Sequence, residues 1–348
     1  MINEELRIVY FGSDEFSEHI LNNFKPWVDH QPMMSLVGVV TLPDKTTKVR
    51  GGIVIKTSPL SYSHDKVLKP RSFDDEFIQE LNELNPNLFI VISYKILPKE
   101  VWSIPKYGTV NIHPSLLPRH RGAAPIEWTI MSGDQETGVT SFFIDDSLDQ
   151  GRIICQSQLR DQYTKRVIDI RNMDAVGLSI KLITLCLSVL RDTVCQILSK
   201  GTEVETKDPE SYIVSSYAKK LTSDITRIDW SKSATEIMNK IRGLYYGSKT
   251  SNNVSIVLGR AWTTLGGKRI GGIMADGPID ISQSSNGEDV GTIMYLTKDS
   301  INGVIVVIEK NKYAMVLLTV QPEGKKVMNA IDWWNGIQNK NTLLLKFT

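Results

Sequence analysis

The 348-residue chain is long enough for two domains, and an apolar content of 41% supports an ordinary buried core. Its formal charge is +1, and Cys155, Cys186 and Cys195 lack Cys-x-x-Cys spacing, which argues against a disulfide scaffold or a thiolate metal site and for a reducing compartment. No window holds the roughly 18 unbroken apolar residues of a membrane span, because Lys181, Arg191 and Asp192 interrupt the most apolar one. A soluble protein is therefore expected, with no membrane partner.

The chain opens into a strand at Leu6 to Phe11 without the pattern of a signal or transit peptide. Gly12 follows at once and a helix starts near Asp14, so a tight strand-to-helix turn forms. Such a turn suits an anion or a close backbone contact as well as a plain reversal. A strand at Leu36 to Thr41 comes next. From Pro43 to Pro59 there is no helical period, and Lys45, Lys48, Arg50 and Lys56 make the stretch a long basic loop. A helix near Asp74 to Leu84 and a strand at Leu88 to Ile92 continue the alternation, which predicts an α/β domain with a mostly parallel sheet. The first strand is not followed by Gly-x-Gly-x-x-Gly, so dinucleotide binding is not expected.

Thr109 to His113 reads as a strand that Pro114 ends. Alternation puts Asn111 and His113 on one face of it, aimed at the strand end. Gly138 to Ile144 reads as a second strand, followed by an acidic turn that carries Asp149. Farther on, Val176, Ile180, Ile183, Leu187, Leu190, Val194 and Leu198 recur at three- and four-residue intervals, predicting a long core helix from Met173 to Leu198 in which Cys186 and Cys195 are buried. The polar stretch 206–223 reads as a connector between a first domain, 1–205, and a second, 224–348. There Ser233-Ala-Thr-Glu236 has the form of a capping box and places a helix start. Runs at Val254 to Leu258, Gly291 to Leu296, Val304 to Ile308 and Ala314 to Val320 predict a small antiparallel β-barrel, with a loop around Ser284. Residues 223–348 hold 15 Lys/Arg against 11 Asp/Glu, so this half is mildly basic, as a polyanion partner or merely a solvated surface would require.

A lone histidine in a strand is more often structural than catalytic, but Asn111 and Asp149 change the balance for His113. An amide donor, an imidazole and a carboxylate can polarise a carbonyl oxygen, accept a proton from a nitrogen nucleophile and serve a leaving amine. The surrounding wording sharpens this. Asn111-x-His113-x-Ser115-Leu116-Leu117-Pro118, then Arg119-x-Arg121-Gly-Ala-Ala-Pro-Ile126, Glu136-Thr-Gly-Val-Thr140 and Leu148-Asp149-x-Gly151, resembles the folate-dependent formyltransferases. Ile228-Asp-Trp-Ser231, Ile241-Arg-Gly-Leu244 and Gln321-Pro-Glu-Gly-Lys-Lys326 extend the resemblance nearly end to end and point to the tRNA-specific branch.

The resemblance implies a Rossmann-like formyltransferase domain followed by an OB-like barrel, with 10-formyltetrahydrofolate as co-substrate and no metal. Asn111, His113 and Asp149 would be the catalytic trio, with His113 protonated and held so by Asp149. Ser115, Leu116, Leu117 and Pro118 would form a folate-contacting turn. The loop Ser93 to Pro98, with Val101 and Trp102, would hold the pterin, so that Tyr94, Ile96, Leu97, Val101 and Ile144 line its slot; plain core packing explains the apolar ones equally well. Gly12, Lys45, Lys48, Arg50, Arg119, Arg121, Lys325 and Lys326 would meet the acceptor stem of initiator methionyl-tRNA, the expected partner of a monomeric enzyme.

The chain departs from the family pattern at Lys45, where arginine is usual, and at Lys48-Val-Arg50-Gly51, where Ala-Gly-Arg-Gly is usual. His120 stands where an aromatic Trp or Tyr is common, and reads either as an exposed loop histidine or as a stacking group. A mitochondrial matrix location is expected, with a bacterial cytoplasm as the alternative. Competing functions are a sugar-nucleotide N-formyltransferase, a formyltetrahydrofolate hydrolase and a non-catalytic tRNA-binding protein.

Overall fold

The computed structural model describes residues 2–48, 54–57, 66–209, 214–249, 255–283, 287–298, 301–337 and 345–348. Its contacts divide the chain into two compact units. The first comprises Met1–Pro125, Glu136–Ile168 and Ser179–Ala218; the second comprises Ile126–Gln135, Asp169–Leu178 and Lys219–Thr348. In the chain, the last crossing between them falls at Ala218/Lys219, inside the stretch expected as a connector.

The first unit begins with β1 (Leu6–Gly12), α1 (Glu15–Asp29) and β2 (Met34–Val40). A hairpin of β3 (Lys45–Lys48) and β4 (Val54–Thr57) follows, then β5 (Val67–Leu68), α2 (Asp75–Glu83), β6 (Leu88–Ile92), α3 (Lys99–Trp102), β7 (Thr109–His113) and β8 (Arg121–Gly122). After α4 (Pro125–Met131), which belongs to the second unit but for its first residue, come β9 (Gly138–Phe143), β10 (Ile153–Gln158), the long α5 (Ala175–Lys200), in this unit from Ser179 on, and β11 (Tyr217–Ala218). Seven strands form one sheet in the order β10-β9-β7-β6-β1-β2-β5. Pairings from β7 through β5 are parallel, and β9 and β10 run antiparallel at the edge, so the expected mostly parallel sheet is present.

Strands β1 and β6 are apolar on both faces, as a central parallel sheet covered on both sides requires. Phe11 and Phe89 are fully buried, and burying a side chain of this size contributes roughly 1.5–3 kcal/mol. Asp14 caps α1 through a capping box with Ser17, and Asp74 caps α2, so both helices start where the sequence put them.

Three expectations need correction. The basic stretch after Pro43 is a hairpin rather than a structureless loop, with Lys45 paired to Thr57 and Lys48 to Val54. The β-branched residues flanking Gly51-Gly52 carry that signal, and the lysine content obscured it. In α5 the buried stripe is Leu182, Cys186, Val189, Leu190, Val194 and Ile197, whereas Ile180 is 63% exposed and Cys195 faces out. This helix is apolar around most of its circumference, so spacing alone did not select its inner face. By length and composition it could span a bilayer, yet Leu182, Cys186, Val189, Leu190, Val194 and Ile197 are packed into the core.

The second unit contains α6 (Ser223–Thr226), α7 (Ala234–Gly243) and a hairpin of β12 (Tyr245–Lys249) and β13 (Ser255–Gly259). It continues with β14 (Ala261–Leu265), β15 (Lys268–Asp280), β16 (Ile293–Lys298), β17 (Ile301–Glu309), β18 (Tyr313–Pro322), β19 (Met328–Asn329) and α8 (Ala330–Asn335). An antiparallel sheet runs β14-β15-β18-β17-β16, with β19 beside β18. Ile237 and Ile241 of α7 pack with Ile273, Val306 and Met315 of the sheet, and the rings of Trp230 and Trp333 stack against Phe347 at 5.8 and 6.1 Å. Ser233 caps α7 in the expected capping box.

Candidate active site

The order of the first sheet places a crevice. Strand β2 lies on one side of β1 and β6 on the other, and in parallel sheets the carboxyl ends of strands flanking such a reversal form a binding cleft. Gly12 ends β1 opposite Ile92 of β6, and the Ser13 hydroxyl donates to the Ser93 carbonyl across that gap. One strand over, Asn111 pairs with Val91, and His113 ends β7. The Cβ of a residue larger than glycine at position 12 would meet the Ser17 Oγ and the Tyr10 ring at 2.8 Å, so close packing alone requires this glycine.

His113 is 4% exposed. Its Nε2 lies 2.8 Å from the His120 carbonyl oxygen, which can only accept, so Nε2 carries the proton and donates it there. The Nδ1 atom then keeps its lone pair and faces Asp149, whose Oδ2 is 3.9 Å away. Asp149 is 8% exposed, and the same Oδ2 accepts from the Gly122 backbone N–H at 2.7 Å. Burial pushes the His113 pKa below the ordinary histidine value, outweighing the upward pull of Asp149 and of the bond to His120. The expectation of a protonated His113 at rest is therefore corrected: the imidazole is neutral at pH 7 and poised to accept a proton at Nδ1.

Asp149 sits at φ +50°, a left-handed conformation that an aspartate tolerates at some cost. Gly151 explains why the turn closes there. A Cβ on it would lie 1.7 Å from the Phe143 carbonyl oxygen, so only glycine lets the chain pass back against β9.

Ser115 to Pro118 form a buried turn held from two sides. The Thr140 hydroxyl donates to the Ser115 carbonyl at 2.7 Å and accepts from the Leu117 N–H at 3.2 Å, while the Gln156 amide donates to the Leu117 carbonyl at 3.0 Å. Leu117 is buried with Phe142 and Ile153, and Leu116 is half-buried. Ile144 touches this cluster and also the one containing Phe11, Leu97 and Val101, against which Tyr94 and Trp102 pack. The structure thus brings Tyr94, Leu97, Val101, Ile144 and Leu117 into two adjoining apolar clusters. Leu97 and Val101 are committed to the core, and Ile96, 76% exposed, is left open.

Arg119 and Arg121 flank the same loop, with Arg121 Nη1 3.3 Å from the Ser215 hydroxyl. Lys45 and Lys48 lie on β3, and Arg50 falls outside the described residues. His120 is 3% exposed, which corrects the reading of it as an exposed loop histidine. Position 120 was singled out for its ring, whereas its carbonyl is what touches His113. The roles of Thr140, Gln156 and Ser216 were not read from the sequence, since polar residues of these types carry no motif of their own.

In the second unit, Lys325 and Lys326 are exposed on the turn after β18, where the Lys325 N–H bonds the Pro322 carbonyl at 2.9 Å. Beside that turn is a concavity of about 590 Å³ lined by Tyr246, Arg260, Arg269, Gln321 and Glu323, among others. The Arg269 guanidinium lies 4.4 Å from the centre of the Trp262 ring and Arg227 lies 5.5 Å from it. Arginine stacked on an exposed-side aromatic and free lysines in a turn are groups that meet phosphates and bases.

Comparison with known proteins agrees with the geometry. Residues 6–171 match the family described as formyl transferase, and residues 220–338 match the formyl transferase C-terminal domain. The chain is 32% identical over 346 residues to the methionyl-tRNA formyltransferase of Parabacteroides distasonis, covering 97% of this chain and 98% of the relative. The solved methionyl-tRNA formyltransferase of Clostridium thermocellum superposes with a TM-score of 0.51 at 15% identity, over 87% of this chain and 99% of that one. An N-formyltransferase of Helicobacter canadensis, solved with folinic acid and dTDP-3-aminofucose, gives 0.53 at 18% identity, over 89% and 98%.

Proposed function

We propose, from the premise that this chain belongs to the formyl transferase family and within it to the methionyl-tRNA formyltransferases, that it transfers the formyl group of 10-formyltetrahydrofolate to the amino group of methionyl-tRNA. The observation that carries the chemistry is the buried His113–Asp149 pair at the end of β7, with Nε2 committed to a backbone carbonyl and Nδ1 available. The half-buried Tyr94 and Ile144, backed by the core residues Leu97 and Val101, support this side of the first unit as the place of the folate ring.

The methionyl nitrogen attacks the formyl carbon while the Asn111 amide donates to the developing oxyanion. A donor of this kind is worth about 3 kcal/mol. The nitrogen's proton passes to His113 Nδ1, and the imidazolium so formed is stabilised by Asp149. The bond from the formyl carbon to the folate nitrogen then breaks, and that nitrogen takes the proton back from His113. Atoms and charge balance, and no metal is called for by these steps.

Acceptor recognition uses Arg119 and Arg121 beside the His113 loop, Lys45 and Lys48 on the basic hairpin together with Arg50 of the same stretch of sequence, and Lys325 and Lys326 on the second unit, the protein acting as a monomer. The matched C-terminal domain and these cations support tRNA over an amino sugar nucleotide. The relatives come from bacteria, which supports a bacterial cytoplasm over the mitochondrial matrix. Incubating the protein with 10-formyltetrahydrofolate and either methionyl-tRNA or dTDP-3-aminofucose decides the acceptor. Formylation of the sugar alone defeats the tRNA reading, and formylation of neither defeats the transferase reading.

A further inference from the structure

The two groups that orient the His113–Asp149 pair come from one short loop. The His120 carbonyl fixes the imidazole, and the Gly122 N–H fixes the carboxylate. Neither bond has value unless that loop is itself held, and within the first unit residues 216–218 hold it. The His120 N–H donates to the Ser216 Oγ at 2.8 Å, and the His120 Nδ1 lies 3.3 Å from the same oxygen. The Arg121 N–H donates to the Ser216 carbonyl at 3.0 Å, and the Ala123 N–H to the Ala218 carbonyl at 2.8 Å. Strand β11 pairs in parallel with β8, Tyr217 opposite Arg121 and Ala218 opposite Gly122.

Gly122 shows how close this strap lies. A Cβ there would come within 2.8 Å of the Ala218 carbonyl and 2.9 Å of the Tyr217 ring, and its φ is +113°. Tyr217 is itself 53% exposed, so the strap has little apolar burial to fix it independently. Its place is fixed by these hydrogen bonds; the Ser216 hydroxyl is the side chain that bonds the main chain of His120, while the adjoining Ser215 hydroxyl meets only the Arg121 guanidinium, at 3.3 Å.

We propose that Ser216 is a positioning residue of the transfer reaction: through the main chain of His120 it sets the proton-bearing nitrogen of His113, from just before β11, nearly 70 residues beyond Asp149 in the chain. The proposal rests on the transferase reading for its kinetic consequence but not for its structural one. Ser216 touches neither reactant. A hydroxyl that holds the loop keeps the Nε2–H bond short, and with it the Nδ1 lone pair directed at the acceptor nitrogen and at Asp149.

Two readouts test this on the full chain. In protein labelled with ¹⁵N histidine, which has five imidazole rings of two nitrogens each, His113 should show a single Nε2–H form that Ser216→Ala converts to a tautomer mixture and Ser216→Thr leaves intact. In steady-state formylation of methionyl-tRNA, Ser216→Ala should lower kcat roughly tenfold, the loss of about one hydrogen bond, with KM for folate and tRNA and the melting temperature little changed; threonine should restore kcat. An unmixed His113 tautomer in Ser216→Ala overturns the proposal. So does a KM effect at unchanged kcat, which would make the strap a binding element. If the wild-type protein formylates no acceptor, the transferase reading fails while the tautomer experiment still decides the role of Ser216.

Discussion

Replacing Asp149 with asparagine isolates one term of the chemistry. Asparagine keeps an oxygen to accept from the Gly122 N–H, 2.7 Å away in the native protein, and occupies the same volume, so the turn and the fold should persist. What disappears is a negative charge 3.9 Å from His113 Nδ1. At an effective dielectric constant near 20, two unit charges at this separation attract by about 4 kcal/mol. That attraction is absent while the imidazole is neutral and present once it has taken the proton, so it acts on the transition state and hardly on the ground state. The expected loss is therefore in kcat, of the order of 10³-fold, with the KM for folate and tRNA within about threefold of the wild type. Rapid-quench formylation of labelled methionyl-tRNA measures the first quantity, and quenching of intrinsic fluorescence by folate the second. A variant that turns over within a few-fold of the wild type, with folate binding intact, removes Asp149 from the mechanism.

The pH dependence follows from the same pair. Burial places His113 below the ordinary histidine value of about 6.5, so its base form is fully present at neutral pH and activity should fall only below that value. Asp149 raises this pKa, hence Asp149→Asn should move the acid limb of kcat to still lower pH; a limb moving upward contradicts the assignment. The same depression means that His113 in the unfolded chain binds a proton more readily than in the folded one. Stability is thus whole above about pH 6.5 and declines as the pH drops towards the folded-state value, which a series of thermal melts resolves. Asn111→Ala should lower kcat by roughly 10²-fold or somewhat more and spare folate affinity, and an unaltered kcat would strike Asn111 from the oxyanion role. Gly151→Ala places a methyl group against the Phe143 carbonyl and should lower both melting temperature and turnover, unlike Gly177→Ala in α5, where the nearest atom, the Asp174 Oδ1, is at an ordinary 3.5 Å. For a Lys325→Ala/Lys326→Ala double variant, the slope of log tRNA affinity against log salt should flatten by up to about 2 units; an unchanged slope makes these lysines a solvated turn.

The sheet and its helices were legible because their signals are local: Asp14, Asp74 and Ser233 cap helices within a few residues, β6 is an unbroken apolar run, and β1 is one from Ile8 to Phe11. Asn111 and His113 were legible as a pair by strand alternation, whereas the acidic turn offers Asp145, Asp146 and Asp149 alike, and the Leu148-Asp149-x-Gly151 wording singled out the last. The charge state of His113 was not, since it depends on burial by elements far apart in the chain, and no spacing reports desolvation. His120 was misjudged for a related reason. Its loop is buried by residues 216–218, a contact nearly 100 positions away that a linear reading treats as connector. The inner face of α5 was lost because nearly every turn offers an apolar residue on either side.

The anchor of His113 is a peptide oxygen, not a side chain. Any residue at position 120 that keeps the left-handed backbone at φ +57° supplies that oxygen, so a substitution there acts through the buried ring alone, which is 3% exposed and has its Nδ1 3.3 Å from the Ser216 Oγ. The room beneath residues 216–218 therefore limits which side chain can stand at 120, while the proton-accepting nitrogen takes its bearing from the backbone.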